Sequence, residues 1–390
     1  MIAQQTVRPF PQHVHYNAGV IQPSNVSQQA MDDAVRSYYN KWKQHYVRDN
    51  AAPGQYYIWV EGTVGKNECV SEGQGYGMII VALMSGYDTD AQKVYDGLYR
   101  YFKAHPSREN PYLMAWAQTG DFTDVDGTSA SDGDMDIAYS LLLANVQWGS
   151  GDSIDYLSEA KSMIAAIKKE EINHETFFVL LSNAVKEDSE DYYDTRTSDF
   201  MPAHFKAFEK ATKDNFWNKV VDKNYDLFKF MQDKYSPDAG LVPDFIEHVK
   251  SNPDAARPHY LESKYDGAYN YNACRVPWRI ATDFILTGDP RSKNFVAKIN
   301  KWIRETTQDN PDNISAGYTL EGDDIKNRNY EALSFIASFG VSAMADAQNQ
   351  AWLNKLWTYI ADFDIDQFEY YDNTIKLISM ILFSGNYWAP

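Results

Sequence analysis

Three stretches of the sequence place titratable and aromatic side chains where chemistry could use them. The first is Ser71-Glu-Gly-Gln-Gly-Tyr-Gly-Met78, in which Glu72 is the only acid and glycine recurs at 73, 75 and 77. A glycine inside a helix costs about 1 kcal/mol against alanine, so three of them imply that something approaches this backbone closely. The spacing is not that of a phosphate-binding loop, and no Lys-Ser/Thr pair follows. Glu72 has two readings. With Ser71 as a cap, it is an acid resting on the positive end of a helix. Alternatively, it donates a proton. A helix start lowers a carboxyl pKa, so a donor there needs burial or a second carboxylate to raise it again.

The second stretch opens Ala130-Ser-Asp-Gly-Asp-Met-Asp136. One acid suffices to cap a helix, whereas Asp132, Asp134 and Asp136 crowd a single helix start and repel one another. Either the first turn is solvated, or Asp132 faces a ligand hydroxyl or a second acid. The third stretch runs from Tyr260 to Pro277. It carries Tyr260, Tyr265, Tyr269 and Tyr271 with Glu262, Asp266 and Arg275 nearby. A tyrosine-rich loop with acids is poor core material and reads as a surface for a sugar or a peptide.

Other machinery is missing from the sequence. There is no Gly-x-Ser-x-Gly, His-Glu-x-x-His or Walker pattern, and His13-Val-His15 reads as surface histidines. No metal and no cofactor is expected. Carboxylates and aromatics remain, and two carboxylates suffice to protonate a glycosidic oxygen and to activate water.

The elements that must position these residues form a series. Gly86-Tyr-Asp88, Ser150-Gly-Asp152, Thr212-Lys-Asp214, Gly288-Asp289 and Ala345-Asp346 each separate two helical patterns. Glycine ends one helix in left-handed dihedrals and aspartate caps the next. The aspartates stand roughly 57–75 residues apart, so the chain accommodates about six such units. Twelve helices are predicted, near 27–47, 71–86, 88–104, 132–148, 153–170, 198–211, 214–234, 272–287, 290–305, 328–344, 347–360 and 370–384. Long connections alternate with the short turns. Six hairpins can close into an all-α (α/α)6 barrel, with the long loops gathered on one face. The alternative is an open solenoid, which the absence of linkers and of atypical capping repeats disfavours. The chain is expected to be a single catalytic domain over 1–390, with 1–25 as an extended N-terminal arm.

Composition bounds the partners. The 390 residues carry a formal charge of −18, which makes nucleic acid a poor partner. The apolar run Met78–Met84 is too short to cross a bilayer, and no membrane helix is expected. Ten Trp, 28 Tyr and 19 Phe exceed what a plain helical core needs and suggest stacking surfaces. Cys69 and Cys274 leave room for one bridge but make no disulfide framework. The N-terminus has no apolar leader core.

The first two stretches also resemble the two signatures of glycoside hydrolase family 8. The second fixes many positions over 19 residues, Ala130-Ser-Asp-Gly-Asp-x-x-Ile-Ala-x-x-Leu-Leu-x-Ala-x-x-x-Trp148. Tyr370-Tyr-Asp-Asn and the closing Ser384-Gly-Asn-Tyr-Trp388 are similar to that family too, and the likeness runs from about Pro11 to the C-terminus. The resemblance implies an (α/α)6 barrel that inverts the anomeric centre, with Glu72 as general acid and Asp132 at the point of cleavage. One branch takes its base from an Asp three residues before an Arg. Here that place is Asn272, before Arg275, and an amide cannot accept the proton. The other branch uses a Glu on the loop upstream, which Glu262 matches.

That departure implies the chitosanase and lichenase branch. Tyr76, Trp116, Arg196, Tyr271, Asn272 and Arg275 are the implied substrate contacts. Gly73–Ile79, Ala91–Leu98, Asp194-Thr-Arg196 and Tyr271–Pro277 look specifically like bacterial chitosanases. In place of the Gly-Asp-Trp segment of those relatives, the chain has Ser182-Asn-Ala-Val-Lys-Glu-Asp188. The expectation is thus a secreted, monomeric, endo-acting inverting hydrolase of chitosan. Its runners-up are a β-1,3-1,4-glucanase or endo-β-1,4-glucanase with the same machinery, a non-enzymatic carbohydrate-binding protein, and a polysaccharide lyase.

Overall fold

A computed structural model of the chain describes residues 6–151, 153–325 and 332–390. The described residues form twelve α-helices: α1 (Gln28–Tyr46), α2 (Ser71–Leu83), α3 (Ala91–Ala104), α4 (Ser131–Trp148), α5 (Tyr156–Glu170), α6 (Pro202–Thr212), α7 (Phe216–Tyr235), α8 (Val276–Thr287), α9 (Pro290–Thr307), α10 (Leu333–Ala343), α11 (Gln350–Asp362) and α12 (Tyr370–Phe383). The even-numbered helices pack in succession, α2 on α4, α6, α8, α10 and α12, and α12 returns to α2. The ring therefore closes. Each odd-numbered helix covers a neighbour from outside, and α1 covers α12. This is the expected (α/α)6 barrel and not an open solenoid.

The division into two layers is written in the helices. Every residue of α10 is buried, as are nearly all of α2 and α4. A helix that is apolar all round belongs inside. In α1, by contrast, the buried apolar residues are Met31, Val35, Tyr38, Tyr39, Trp42 and Tyr46, a single stripe at helical spacing. Burying each large apolar side chain of the inner ring contributes about 1.5–3 kcal/mol.

Each short turn joins an inner helix to its outer partner, and each long connection leads to the start of an inner helix. The long connections carry short antiparallel strands: β1 (Val47–Arg48) with β2 (Tyr57–Ile58), β3 (Cys69–Val70) with β4 (Ala117–Gln118), and β5 (Thr195–Arg196), β6 (Phe245–Glu247) and β7 (Asp254–Ala255) in one sheet. The other end of the barrel is crossed by residues 6–25. Their N–H groups reach carbonyls in or just past the last turns of five inner helices: Val7 N to Gln147 O, Phe10 N to Ser85 O, Val14 N to Gly385 O, Asn17 N to Ile285 O and Ile21 N to Met344 O. Gln147 O and Ile285 O are among the acceptors that a helix end leaves without partners.

Some local expectations change. The helices predicted from 198 and 272 begin at 202 and 276, after tight 3-10 turns at Thr197–Asp199 and Ala273–Arg275. A proline in the first turn of each sets the later start. Asp289 caps its helix by accepting from Arg291 N, and Asp346 caps the 3-10 turn before α11 by accepting from Gln348 N. Asp88 stands two residues before the cap position of α3, where its Oδ1 accepts from Asp90 N and its Oδ2 from Tyr39 OH and Lys43 Nζ. Asp152 and the predicted helix start at 328 lie outside the described residues. Cys69 and Cys274 are both buried free thiols, so no bridge forms between them.

Candidate active site

The long-loop face is where the inner helices begin, and their first residues meet there. Ser71 does not cap α2. It is the first helical residue, and Val70, at the cap position, offers no side-chain acceptor. Glu72 follows at the first turn, and its neighbours show what the three glycines serve. A Cβ on Gly75 would stand 2.7 Å from Asp136 Cβ and 3.1 Å from Gly133 O. A Cβ on Gly133 would stand 2.3 Å from Ser71 Oγ. The close approach inferred from the sequence is, at Gly75, α4 lying against α2, which brings Glu72 and Asp132 to one place, while Gly73 faces Tyr370 and Val60 and Gly77 faces Ile58 and Trp42.

The three aspartates of α4 diverge. Asp136 is buried between Arg279, whose Nη1 and Nη2 donate at 2.9 and 2.6 Å, and His204 Nε2 at 2.8 Å. Asp134 accepts from Met114 N at 2.8 Å, while burial and the adjacent Glu171 carboxyl push its pKa well above the usual range. Asp132 turns to the site. It is not a helix cap, since that position belongs to Ala130.

Arg275 is the hub. Its Nη1 donates to Glu72 Oε2 at 2.7 Å, to Asp132 Oδ2 at 2.9 Å and to Tyr76 OH at 3.2 Å. Its Nη2 donates to Ser198 Oγ and to Asn272 Oδ1, both at 2.8 Å. Because a guanidinium can only donate, Asn272 must present its oxygen to Arg275 and its Nδ2 to Glu262 Oε2, 2.7 Å away. Arg196 Nη2 donates to Glu262 Oε1 at 3.2 Å, and its Nη1 lies 4.0 Å from Asp132 Oδ1. A hydrogen-bonded chain therefore runs Glu72–Arg275–Asn272–Glu262.

Burial sets the electrostatics. It pushes the Glu72 carboxyl up to about 7, against the pull of Arg275, and Asp132 adds to the rise. The condition for a proton donor at a helix start is met. Asp132 lies below its ordinary value, because Arg275 and then Arg196 outweigh the effect of burial.

The predicted site residues do not all stand alike. Glu72, Asp132, Glu262, Arg196, Asn272 and Arg275 form one network. Tyr76, expected to touch a sugar, has no exposed surface and supports Arg275 from below. Asn272 and Arg275 are also buried, whereas Tyr271 is 40% exposed. Trp116 lies beside the start of α2, where its carbonyl accepts from Ser71 N, and its indole donates to Asp126 Oδ2 at 3.1 Å. Sequence reasoning gave no role to Tyr370, whose OH donates to Glu72 Oε1 at 3.1 Å, nor to Ser198. Tyr370 lay in a stretch noted only for family likeness, and Ser198 follows Asp194-Thr-Arg196 without a motif of its own. Among the described residues, no group of His, Cys, Asp or Glu is arranged to hold a metal ion.

A model of the family described as "Glycosyl hydrolases family 8" matches residues 9–385. The chain is 44% identical over 383 residues to a beta-glucanase of Niallia circulans, covering 98% of this chain and 91% of that protein. It is 39% identical over 394 residues to an endoglucanase of Bacillus sp. strain KSM-330, covering 98% of this chain and 82% of that protein. Among solved structures, the apo beta-1,3-1,4-glucanase from Paenibacillus sp. X4 superimposes with a TM-score of 0.94. It shares 44% identity, with 99% of this chain and all of that one covered.

Proposed function

From the premise that the chain belongs to glycosyl hydrolase family 8, we propose that it is an endo-acting, inverting β-glucanase whose substrate is a neutral mixed-linkage β-1,3-1,4-glucan. The observation that carries this reading is the pairing of the three carboxylates at the centre of the site. Glu72 and Asp132 share Arg275, and Glu262 is held by Arg196 and Asn272. Each of the three already faces a guanidinium, which weakens its pull on a substrate ammonium, so the centre suits a sugar that hydrogen-bonds without charge. The likeness to the Paenibacillus beta-1,3-1,4-glucanase supports the same choice.

In this reading Glu72 protonates the leaving oxygen, Glu262 removes a proton from the attacking water, and Asp132 holds the sugar at the point of cleavage. Protonation needs a carboxyl that is still neutral near pH 7, and burial supplies it at Glu72. An inverting pair stands roughly 6.5–9.5 Å apart to admit a water. The guanidinium and amide interposed between Glu72 and Glu262 favour such a gap over direct contact. Trp116 and Tyr271 offer rings for sugar faces, with one half-buried and the other exposed. A polymer of this size is met outside the cell, which favours secretion.

Chitosan is the second reading, favoured by the net charge of −18, which attracts a polycation. One experiment separates the two: reducing-sugar release from lichenan, chitosan, carboxymethylcellulose and xylan, with the anomeric configuration of the first product read by NMR. Lichenan is expected to be cleaved best, with inversion. Cleavage of chitosan alone overturns the glucan reading, and retained configuration overturns the mechanism.

A further inference from the structure

Glu262 stands on a loop with its side chain 46% exposed. A general base must nevertheless hold its water to within about half an ångström of the productive position. The backbone beneath it is gathered by a residue four positions later. Asp266 is fully buried. Its Oδ2 accepts from Leu261 N at 2.7 Å and from Glu262 N at 2.9 Å, and its Oδ1 accepts from Ser263 N at 2.8 Å. Three successive N–H groups thus converge on one carboxylate, and the middle one belongs to Glu262.

The clamp is tied to the frame of the site. Asp266 O accepts from Phe245 N, at the start of β6, at 3.0 Å. β6 pairs with β5, which carries Arg196, the donor to Glu262 Oε1. Asp244, one residue before β6, accepts from Asn272 N at 3.1 Å, and Asn272 is the donor to Glu262 Oε2. The backbone of Glu262 and both ligands of its carboxylate are therefore referred to one short segment, Asp244–Phe245.

We propose that Asp266 is a positioning residue for Glu262, setting the loop backbone so that the carboxylate meets its water. This rests on Glu262 being the base. Asp266→Asn keeps the shape but turns one acceptor oxygen into a donor facing N–H groups, so at least one of the three bonds is lost.

The test is a double-mutant cycle on lichenan with Asp266→Asn, Glu262→Gln and both together, each assayed well below its own melting temperature. Asp266→Asn is expected to lower kcat by about 10–100-fold, the scale of a misplacement near 1 Å, with KM held within about threefold. Glu262→Gln should lower kcat by ~10²–10⁴-fold. The double variant should lie within about threefold of Glu262→Gln, because a residue acting through Glu262 has nothing left to position. If Asp266→Asn is not folded by near-ultraviolet circular dichroism, Asp266→Glu, which shifts the carboxylate by one methylene, carries the same comparison. An unchanged kcat in the Asp266 variant beside an inactive Glu262→Gln overturns the proposal. So do fully additive losses in the double variant. A Glu262→Gln enzyme close to wild type removes the base assignment first, and this inference with it.

Discussion

Arg275 Nη1 lies 2.7 Å from Glu72 Oε2, so the residue assigned to give up a proton is held by a cation. A cation favours the charged carboxylate, yet burial outweighs it and leaves the Glu72 pKa at about 7. The protonated fraction falls as pH rises through that value. On a neutral glucan, kcat/KM should therefore decline above about pH 7, and the decline should vanish in Glu72→Gln with a loss of ~10²–10⁴-fold in rate. A pH–rate profile of the two proteins checks both. A Glu72→Gln enzyme within about threefold of wild type would sink the assignment.

Asp132 is a like charge beside Glu72, and its repulsion raises the pKa of Glu72 against the pull of the guanidinium they share. Asp132→Asn should lower the pKa of Glu72 and move the alkaline limb to lower pH. It also removes a charge-assisted bond from a buried arginine, a loss of about 1–3 kcal/mol in stability. A limb that stays in place while kcat falls would assign Asp132 to sugar contact alone.

Asn272→Asp puts a second carboxylate where an amide now donates to Glu262 at 2.7 Å. Two carboxyls at that distance do not both ionise freely, although Arg275 offsets part of the repulsion. The acidic limb of kcat/KM should move to higher pH, as an apparent value belonging to the pair. An unmoved limb would mean that Glu262 is not the group whose ionisation activity requires.

Gly75→Ala tests the contact between α2 and α4. The added Cβ meets Asp136 Cβ at 2.7 Å, so the helices must part. Overpacking of this kind costs about 1–3 kcal/mol. Because Glu72 and Asp132 ride on the two helices, kcat should fall together with the melting temperature. A drop in melting temperature with kcat unchanged would show that the site tolerates the shift.

Attraction between a polymer and a surface of charge −18 is screened over a Debye length of about 10 Å at 0.1 M salt. For lichenan, kcat/KM should be nearly flat across a salt series, and for any chitosan cleavage it should fall. An equal response on both polymers would show that the acidic surface serves solubility alone.

The sequence by itself determined the ring. Glycine-aspartate punctuation between apolar helical runs is a local signal, and a helix such as α10, apolar on every side, can only be buried. Glu72 and Asp132 were legible as candidates because an acid in a glycine-rich helix start, or three acids crowding one, is poor packing material, whereas Glu262 was set apart from Asp266 only by the family resemblance. The choice among the three aspartates of α4 was not legible. Asp132, Asp134 and Asp136 are alike in sequence, and only the packing of α8 and of the loops before α6 gives Asp132 to Arg275, Asp134 to Glu171 and Asp136 to Arg279. The proton-donor state of Glu72 was equally out of reach. A helix start lowers its pKa and burial raises it, and the winner depends on how much water the folded ring excludes. Tyr76 shows the same limit, as a tyrosine that faced a sugar in the sequence reading is sealed beneath Arg275 in the structure. Propensity and pattern act over a few residues, whereas Arg275 and Glu72 are 203 residues apart and meet only when the closed ring brings the starts of α2 and α8 to one face.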